Sequence, residues 1–252
     1  MERIRKPFEG VWNIVRFNWH FYVIFVILVP VIFFLLNHYL SSFVAIIAVV
    51  ILVVPVLKSL IVSYWVYDRS DLYTLNYLED LKFGDSDTIV NINAGFDETS
   101  EFIRSRYPGS TLKVFDFYNP ERHTEVSIKR ARKAYPPYHG STAIETSSIP
   151  VEDETASGVF VFMSAHEIRD QKERIQFFKD VNRILTSEGR VVVVEHLRDL
   201  PNFLAYTVGV FHFFSKKNWL KSFSTSDLYL QKEIKITPFV STFILTKNGA
   251  TS

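Results

Sequence analysis

The sequence predicts an α/β domain on a mostly parallel sheet, closed by a C-terminal antiparallel hairpin and preceded by a two-helix transmembrane hairpin. Three observations predict it. No Asp, Glu, Lys or Arg occurs from Phe17 to Leu57. Beyond Tyr67, short β-rich runs alternate with amphipathic stretches, the order that gives parallel strands joined by helices. Near the end, Glu233–Thr237 and Phe239–Thr246 read as two strands around Pro238. The 252 residues suit one domain with an accessory element, divided as 1–66 (hairpin), 67–84 (a connecting helix) and 85–252 (the α/β domain).

Within the charge-free region two apolar runs, Phe21–Leu36 and Phe43–Leu57, are separated by Asn37–Ser42. Each run is short of the roughly 20 residues a spanning helix needs, but apolar flanks extend them to spans of about 19–40 and 43–65. Pro30 and Pro55 are tolerable in membrane helices. Trp12, Trp19 and Tyr22 at one end of the hairpin, and Tyr64, Trp65 and Tyr67 at the other, fit interfacial aromatic belts. Arg3, Arg5, Lys6 and Arg16 precede the first span, and Lys58, Arg69 and Lys82 follow the second; the intervening loop has no Lys or Arg. The positive-inside rule then puts both termini in the cytoplasm. A signal peptide lacks a small-residue cleavage site here. A buried helical hairpin is the remaining alternative.

In the α/β region Thr88–Ile92, Thr111–Phe115, Gly158–Met163 and Arg190–Glu195 read as strands. Glu98–Arg106, Glu121–Lys133 and Lys172–Leu185 read as helices. Val191–Val194 is apolar on both faces, as a covered parallel sheet requires. In 67–84, Leu72, Leu75, Leu78 and Leu81 recur every three residues and suggest a helix.

Composition narrows the chemistry. A net charge of +1 leaves no electrostatic footprint for nucleic acid. The chain has no cysteine, which excludes disulfides, thiolate zinc sites and cysteine nucleophiles. No Gly-x-Ser-x-Gly elbow and no P-loop occurs. Two spans without charged residues exclude a transporter. No tight His/carboxylate spacing suggests a metal, so none is expected.

Open parallel sheets bind ligands at the carboxyl ends of their strands. The loop after the first strand is Asn91-Ile92-Asn93-Ala94-Gly95-Phe96-Asp97, and Asp116 ends the second, the glycine-to-acid spacing suited to a ribose; the alternative is that Asp116, ahead of Asn119-Pro120, is a turn residue. Later come Glu145-Thr146-Ser147-Ser148-Ile149-Pro150, Ser164-Ala165-His166-Glu167-Ile168 after a strand, and Leu185-Thr186-Ser187-Glu188-Gly189-Arg190-Val191 between a helix and a strand. Over Asp85 to Leu197 these segments resemble class I S-adenosylmethionine-dependent methyltransferases. The resemblance implies a Rossmann-like domain with S-adenosylmethionine as cofactor. It places Asn91, Asn93 and Gly95 in the glycine loop, Asp116 on the ribose, Glu145 on the adenine amino group, and Ser164 at the head of the active-site loop. Two motif glycines are replaced, by Asn93 and Asp97, and Asp97 brings a carboxylate near the expected place of the methionine carboxylate. Glu195-His196-Leu197-Arg198-Asp199 resembles a membrane-linked bacterial subgroup, implying a bacterial inner-membrane location with the domain cytoplasmic.

If the resemblance holds, His166 and Glu167 face the methyl group. His166 can take a proton near neutral pH, or the pair can simply open the next helix. Glu195 and His196 either line the substrate side or serve as structural polar groups. Phe203–Phe223 is aromatic and ends in lysines, which suits an interfacial helix, a lid or a core helix. The expected function is methyl transfer from S-adenosylmethionine to a small-molecule, lipid-like or membrane-partitioned acceptor. The alternative is an inactive methyltransferase-fold scaffold at the membrane.

Overall fold

The computed structural model describes residues 5–247, so Arg3 lies outside the described residues. The chain opens with α1 (Glu9–Phe17), then α2 (Trp19–Tyr39) and α3 (Ser42–Tyr64), which form an antiparallel hairpin. The side chain of Ser41 caps α3 by accepting from the Val44 N–H, which relieves one unpaired donor of the first turn. At 21 and 23 residues, both helices are long and apolar enough to cross a membrane. Neither is a core helix: α2 has no buried residue, and Val26, Phe34 and Ile51 are each at least 64% exposed. An apolar surface of that extent exceeds what a soluble monomer normally shows to water.

The helix expected over 67–84 does not form. Beyond α3 the chain makes a π-turn at Trp65–Arg69, irregular turns and a 3-10 turn at Asn76–Leu78. Leu75 sits at φ 57°, in the left-handed region that no helix interior uses. Leu72, Leu75 and Leu78 are nevertheless fully buried. Their spacing reflects insertions into the sheet face from irregular turns, with Leu75 and Leu78 at the two ends of one 3-10 turn.

The α/β region runs β1 (Thr88–Asn93), α4 (Ser100–Arg106), β2 (Thr111–Asp116), α5 (Val126–Ala134), β3 (Thr142–Ala143), β4 (Ala156–Phe162), α6 (Gln171–Ile184), β5 (Leu185–His196), α7 (Leu200–Tyr206), α8 (Lys216–Thr225), β6 (Leu228–Thr237) and β7 (Val240–Lys247). The sheet order is β3-β2-β1-β4-β5-β7-β6. The first five strands in that order are parallel, and β7 runs antiparallel between β5 and β6. The mostly parallel sheet with a closing hairpin is the predicted one. The two-residue β3 carries too little pattern to be read from sequence. The second helix starts at Val126, five residues later than expected, because Asn119-Pro120 begins a turn. In it His123 Nδ1 accepts from the Asn119 N–H at 2.9 Å, and Arg122 and His123 N–H groups return to the Asn119 carbonyl.

Alternation along the central strands builds one core on each face of the sheet. Val90, Val159, Val161, Val191 and Val193 meet Phe177, Phe178 and Val181 of α6 and Trp219 and Phe223 of α8. Ile89, Phe160, Val192 and Val194 meet the connector leucines, Ile103 of α4, Ala205 of α7, Val62 near the end of α3 and Val66 in the π-turn. The base of the apolar hairpin is thus part of one core of the α/β domain.

Candidate functional site

The carboxyl ends of β1, β4 and β5 open into a cavity of about 320 Å³. Its walls include Asn93, Ala94 and Phe96 after β1, Phe162 and Met163 at the end of β4, His196 at the end of β5, and Tyr67 from the π-turn below α3. Gly10, Asn13, Ile14 and Phe17 of α1 close it from above. The closure is well anchored. Asp68 accepts from the Gly10 and Val11 N–H groups at 2.8 and 2.9 Å, satisfying two orphan donors at the start of α1. A Cβ at Gly10 would lie 2.4 Å from the Tyr67 Cβ, so this approach needs glycine. The Tyr135 hydroxyl lies 3.0 Å from both Glu9 and Asn13, and Phe17 packs edge-on against Phe96 and Tyr135. Arg5 pairs with Glu98 at 2.6 Å, and the Tyr73 hydroxyl donates to the same carboxylate at 2.8 Å. Burial pushes the Glu98 carboxyl upward.

A second cavity, of about 510 Å³, lies beside the first. Phe117, Asn119, Glu145 and Thr146 line it, and Glu125 and Glu167 line both cavities.

The loop after β1 is held by its own side chains. Asn93 donates to the Phe115 carbonyl at 3.1 Å and accepts from the Gly95 N–H at 3.0 Å. Asn93 therefore joins β1 to β2 and tightens the turn in which Gly95 takes φ 96°, while still facing the first cavity. Asp97 Oδ1 accepts from the Thr99 and Ser100 N–H groups at 2.9 Å each, so its carboxylate is committed to the start of α4. Asn91 donates to the Thr99 and Ser100 hydroxyls at 3.1 and 2.8 Å. Asn91 Oδ1 and Asp97 Oδ2 are buried without a partner, two acceptors that folding leaves unpaired.

Asp116 stands at the end of β2, but neither it nor Gly95 lines either of these two cavities. Arg132 of α5 reaches Asp116 at 2.5 Å and the Gly95 carbonyl at 3.2 Å, and lies over the Tyr118 ring at 4.3 Å. Ser164 is buried and donates to the Ile92 carbonyl at 3.1 Å. It ties β4 to β1 and lines neither cavity.

His166 and His196 sit in opposite electrostatic states. His166 Nδ1 is 2.7 Å from Glu195, which is fully buried, and its Nε2 is 3.3 Å from Glu167. Burial opposes the charge, but the two carboxylates outweigh it and raise the imidazole to about 10. A charged imidazolium has no lone pair for a proton, so in this state His166 does not act as the expected base. Glu167 sits in the loop turn 165–167 and is held well below the carboxylate range despite burial, by His166 and His212. His196 is lowered to about 4 by burial. Its Nδ1 is 2.9 Å from the Phe239 carbonyl, which can only accept; Nδ1 therefore carries the hydrogen, and Nε2 accepts from the Tyr67 hydroxyl at 2.8 Å. Phe213 stacks on the ring, centroids 4.8 Å apart. No sequence signal linked Tyr67 to His196, 129 positions away, or Arg132 to Asp116.

Phe203–Phe223 divides in two. Trp219 and Phe223 are core. Leu200, just ahead of the segment, is exposed together with Phe203, Leu204, Val208 and Phe211, and α7 lies against α3.

No protein-family profile matches the chain, and no curated protein matches it. Solved structures do match. One is the geranyl diphosphate C-methyltransferase of Streptomyces coelicolor, in complex with Mg2+, geranyl diphosphate and S-adenosyl-L-homocysteine: 13% identical, TM-score 0.50, covering 68% of this chain and 77% of that one. Another is a SAM-dependent methyltransferase of Methanosarcina mazei, 15% identical, TM-score 0.50, covering 68% and 97%. A third is from Aquifex aeolicus, 10% identical, TM-score 0.50, covering 76% and 97%. The chain has the class I methyltransferase fold. The chemistry of the residues present suits the cofactor of that fold at both ends, although Asn91 and Asp97 line neither cavity and their orphaned oxygens are buried. The orphaned Asn91 and Asp97 oxygens suit an ammonium group, Asp97 turns its other oxygen into α4, and Glu145 lines the second cavity. Between these ends, Arg132 covers Asp116.

Proposed function

We propose that the protein is a membrane-anchored S-adenosylmethionine-dependent methyltransferase acting on a lipid-like or membrane-partitioned acceptor. The observation that carries this reading is the position of the first cavity. It opens at the carboxyl ends of the strands, where this fold binds ligands, and shares Tyr67 and α1 with the base of an apolar hairpin. The exposed apolar residues of α7 and the turn after it continue that surface toward His212 and Phe213. An acceptor partitioned into lipid would reach the cavity without crossing water. The basic residues flanking the hairpin favour a cytoplasmic domain, and the subgroup resemblance favours a bacterial inner membrane.

The cofactor supplies an electrophilic methyl group, and methyl transfer then needs proximity, alignment and sometimes a base. Asn91, Asn93 and Asp97 would hold the amino-acid end, Asp116 the ribose, and Glu145 the adenine. The Tyr67–His196 pair is a weak proton acceptor in this reading, because burial lowers His196: once methyl transfer has made the acceptor hydroxyl or amine acidic, Tyr67 takes its proton and passes its own to the neutral Nε2. Glu167 orients the acceptor between the two cavities.

A second reading, an inactive scaffold, is favoured by Arg132, which occupies the carboxylate that a ribose would use. Calorimetry with S-adenosylmethionine on full-length protein in detergent separates them. Saturable binding that is lost in Asp116→Ala supports the enzyme, and labelled methyl transfer to membrane lipid and quinone extracts then identifies the acceptor class. Folded protein that shows no binding at millimolar cofactor overturns the enzyme reading.

A further inference from the structure

His166 and Glu167 follow β4, whereas His212 arrives from the turn after α7. Their ligand atoms lie within 4.8 Å of one another. His166 Nε2 and His212 Nε2 both turn toward Glu167 Oε1, at 3.3 and 3.6 Å. Donors around one ion at about 2.1 Å are spaced about 3–3.5 Å apart, so the three atoms stand nearly as a ligand set would. The far side of each ring faces a carboxylate: Glu195 is 2.7 Å from His166 Nδ1, and Glu125 is 3.7 Å from His212 Nδ1. Metal-binding histidines are oriented by such outer carboxylates. The backbone is pinned too. One nitrogen of Arg169 donates to the carbonyls of both His166 and His212, at 3.1 and 2.7 Å.

We propose that His166, Glu167 and His212 bind a divalent first-row transition metal ion at the junction of the two cavities, the ion displacing the Nε2 proton of His166 to solvent as it takes the lone pair. Two imidazoles and one carboxylate on one side leave open positions on the other, the arrangement of non-haem iron and related sites. A structural ion pair would need only one carboxylate for His166. Here three carboxylates surround two imidazoles, and a doubly positive ion that displaces the His166 proton adds one net positive charge to that acidic cluster. Glu167 lines both cavities, which gives the ion access to a ligand oxygen in either. The site stands independently of methyl transfer.

The test uses full-length protein in detergent, freed of affinity tags and stripped with chelator, titrated with Zn2+ by calorimetry and with Co2+ by visible absorption. One ion per chain is expected. His212→Ala should weaken binding at least about a hundredfold, and Glu125→Gln about tenfold as an outer-carboxylate loss. His212 is one-third exposed, and thermal melting of the metal-free variant checks its fold; Glu167→Gln gives the same readout should His212→Ala fail to fold. No saturable binding by folded wild type, or affinity unchanged when a ligand is removed, overturns the proposal. Neither cofactor nor acceptor is present, so this failure is distinct from failure of the methyltransferase reading.

Discussion

Arg132 and Asp116 form an ion pair at 2.5 Å in which the arginine also reaches the Gly95 carbonyl and covers the Tyr118 ring. A Cβ at Gly95 would lie 2.9 Å from both Arg132 and Tyr118. The guanidinium therefore fills the space beside the one glycine kept from the fold's glycine loop. Arg132 is partly exposed, and Asp116 nearly buried. The arginine can swing into solvent, while the carboxylate stays, since Tyr118 N–H also donates to it at 2.8 Å.

Asp116→Ala should weaken S-adenosylmethionine binding at least about tenfold, the loss expected when a charged acceptor is removed. Arg132→Ala should tighten binding by up to about fivefold, because a partly exposed ion pair resists displacement by at most about 1 kcal/mol. Calorimetry on both variants checks this. Weaker binding in Arg132→Ala would show that the arginine holds the cofactor instead of competing with it.

His196 makes stability depend on acid. Its ordinary value is 6.5, and the folded protein lowers it to about 4. Between these values the unfolded chain binds the proton more readily than the native one. The contribution is thus complete above pH 6.5 and lost as pH falls toward 4, amounting to about 3 kcal/mol. Melting curves across that window should fall more steeply for wild type than for His196→Gln. Parallel slopes would show that the ring is not held neutral.

Asp68→Ala should loosen α1 by about 1 kcal/mol, the usual cost of losing a helix-capping acceptor. Hydrogen exchange at residues 9–17 would rise, with the β4 and β5 amides unchanged. Since α1 closes the first cavity, the same variant should weaken ligand binding there. Unchanged exchange in 9–17 would place the anchoring of α1 in Tyr135 and Phe17 instead.

The chain has no cysteine, so Leu204→Cys gives a single labelling site. A nitroxide there, in protein reconstituted into bilayers, should be accessible to oxygen and shielded from a polar nickel reagent. One at Glu188→Cys, at the opposite strand ends, should show the reverse. Water accessibility at residue 204 would remove α7 from the bilayer surface.

Much of the architecture was legible before folding, and for local reasons. Charge absent over a span-length stretch sets α2 and α3, whose side chains then stay exposed as an apolar solvent would have them. Valine at every position from 191 to 194 demands cover on both faces, and β5 has it. The turn at Asn119-Pro120 delays the second helix, and its reach was not legible because the His123 ring that completes it acts through a hydrogen bond no propensity encodes. The connector leucines misled because burial at every third residue is the mark of a helix only when one continuous face does the burying. Here a succession of irregular turns delivers the leucines, with no continuous helical face.

By itself the sequence determined the two apolar helices, the alternation that makes a parallel sheet, and which loops meet at its carboxyl edge. All follow from periodicity and composition over neighbouring residues. Only the tertiary structure decided what those loops hold. It turned Asp97 into α4, set Arg132 on Asp116, charged His166 through Glu195 while burial kept His196 neutral, and brought His212 beside Glu167. Protonation and coordination depend on through-space distances of a few ångströms between residues tens of positions apart, and only the packed sheet and its covering helices set those distances.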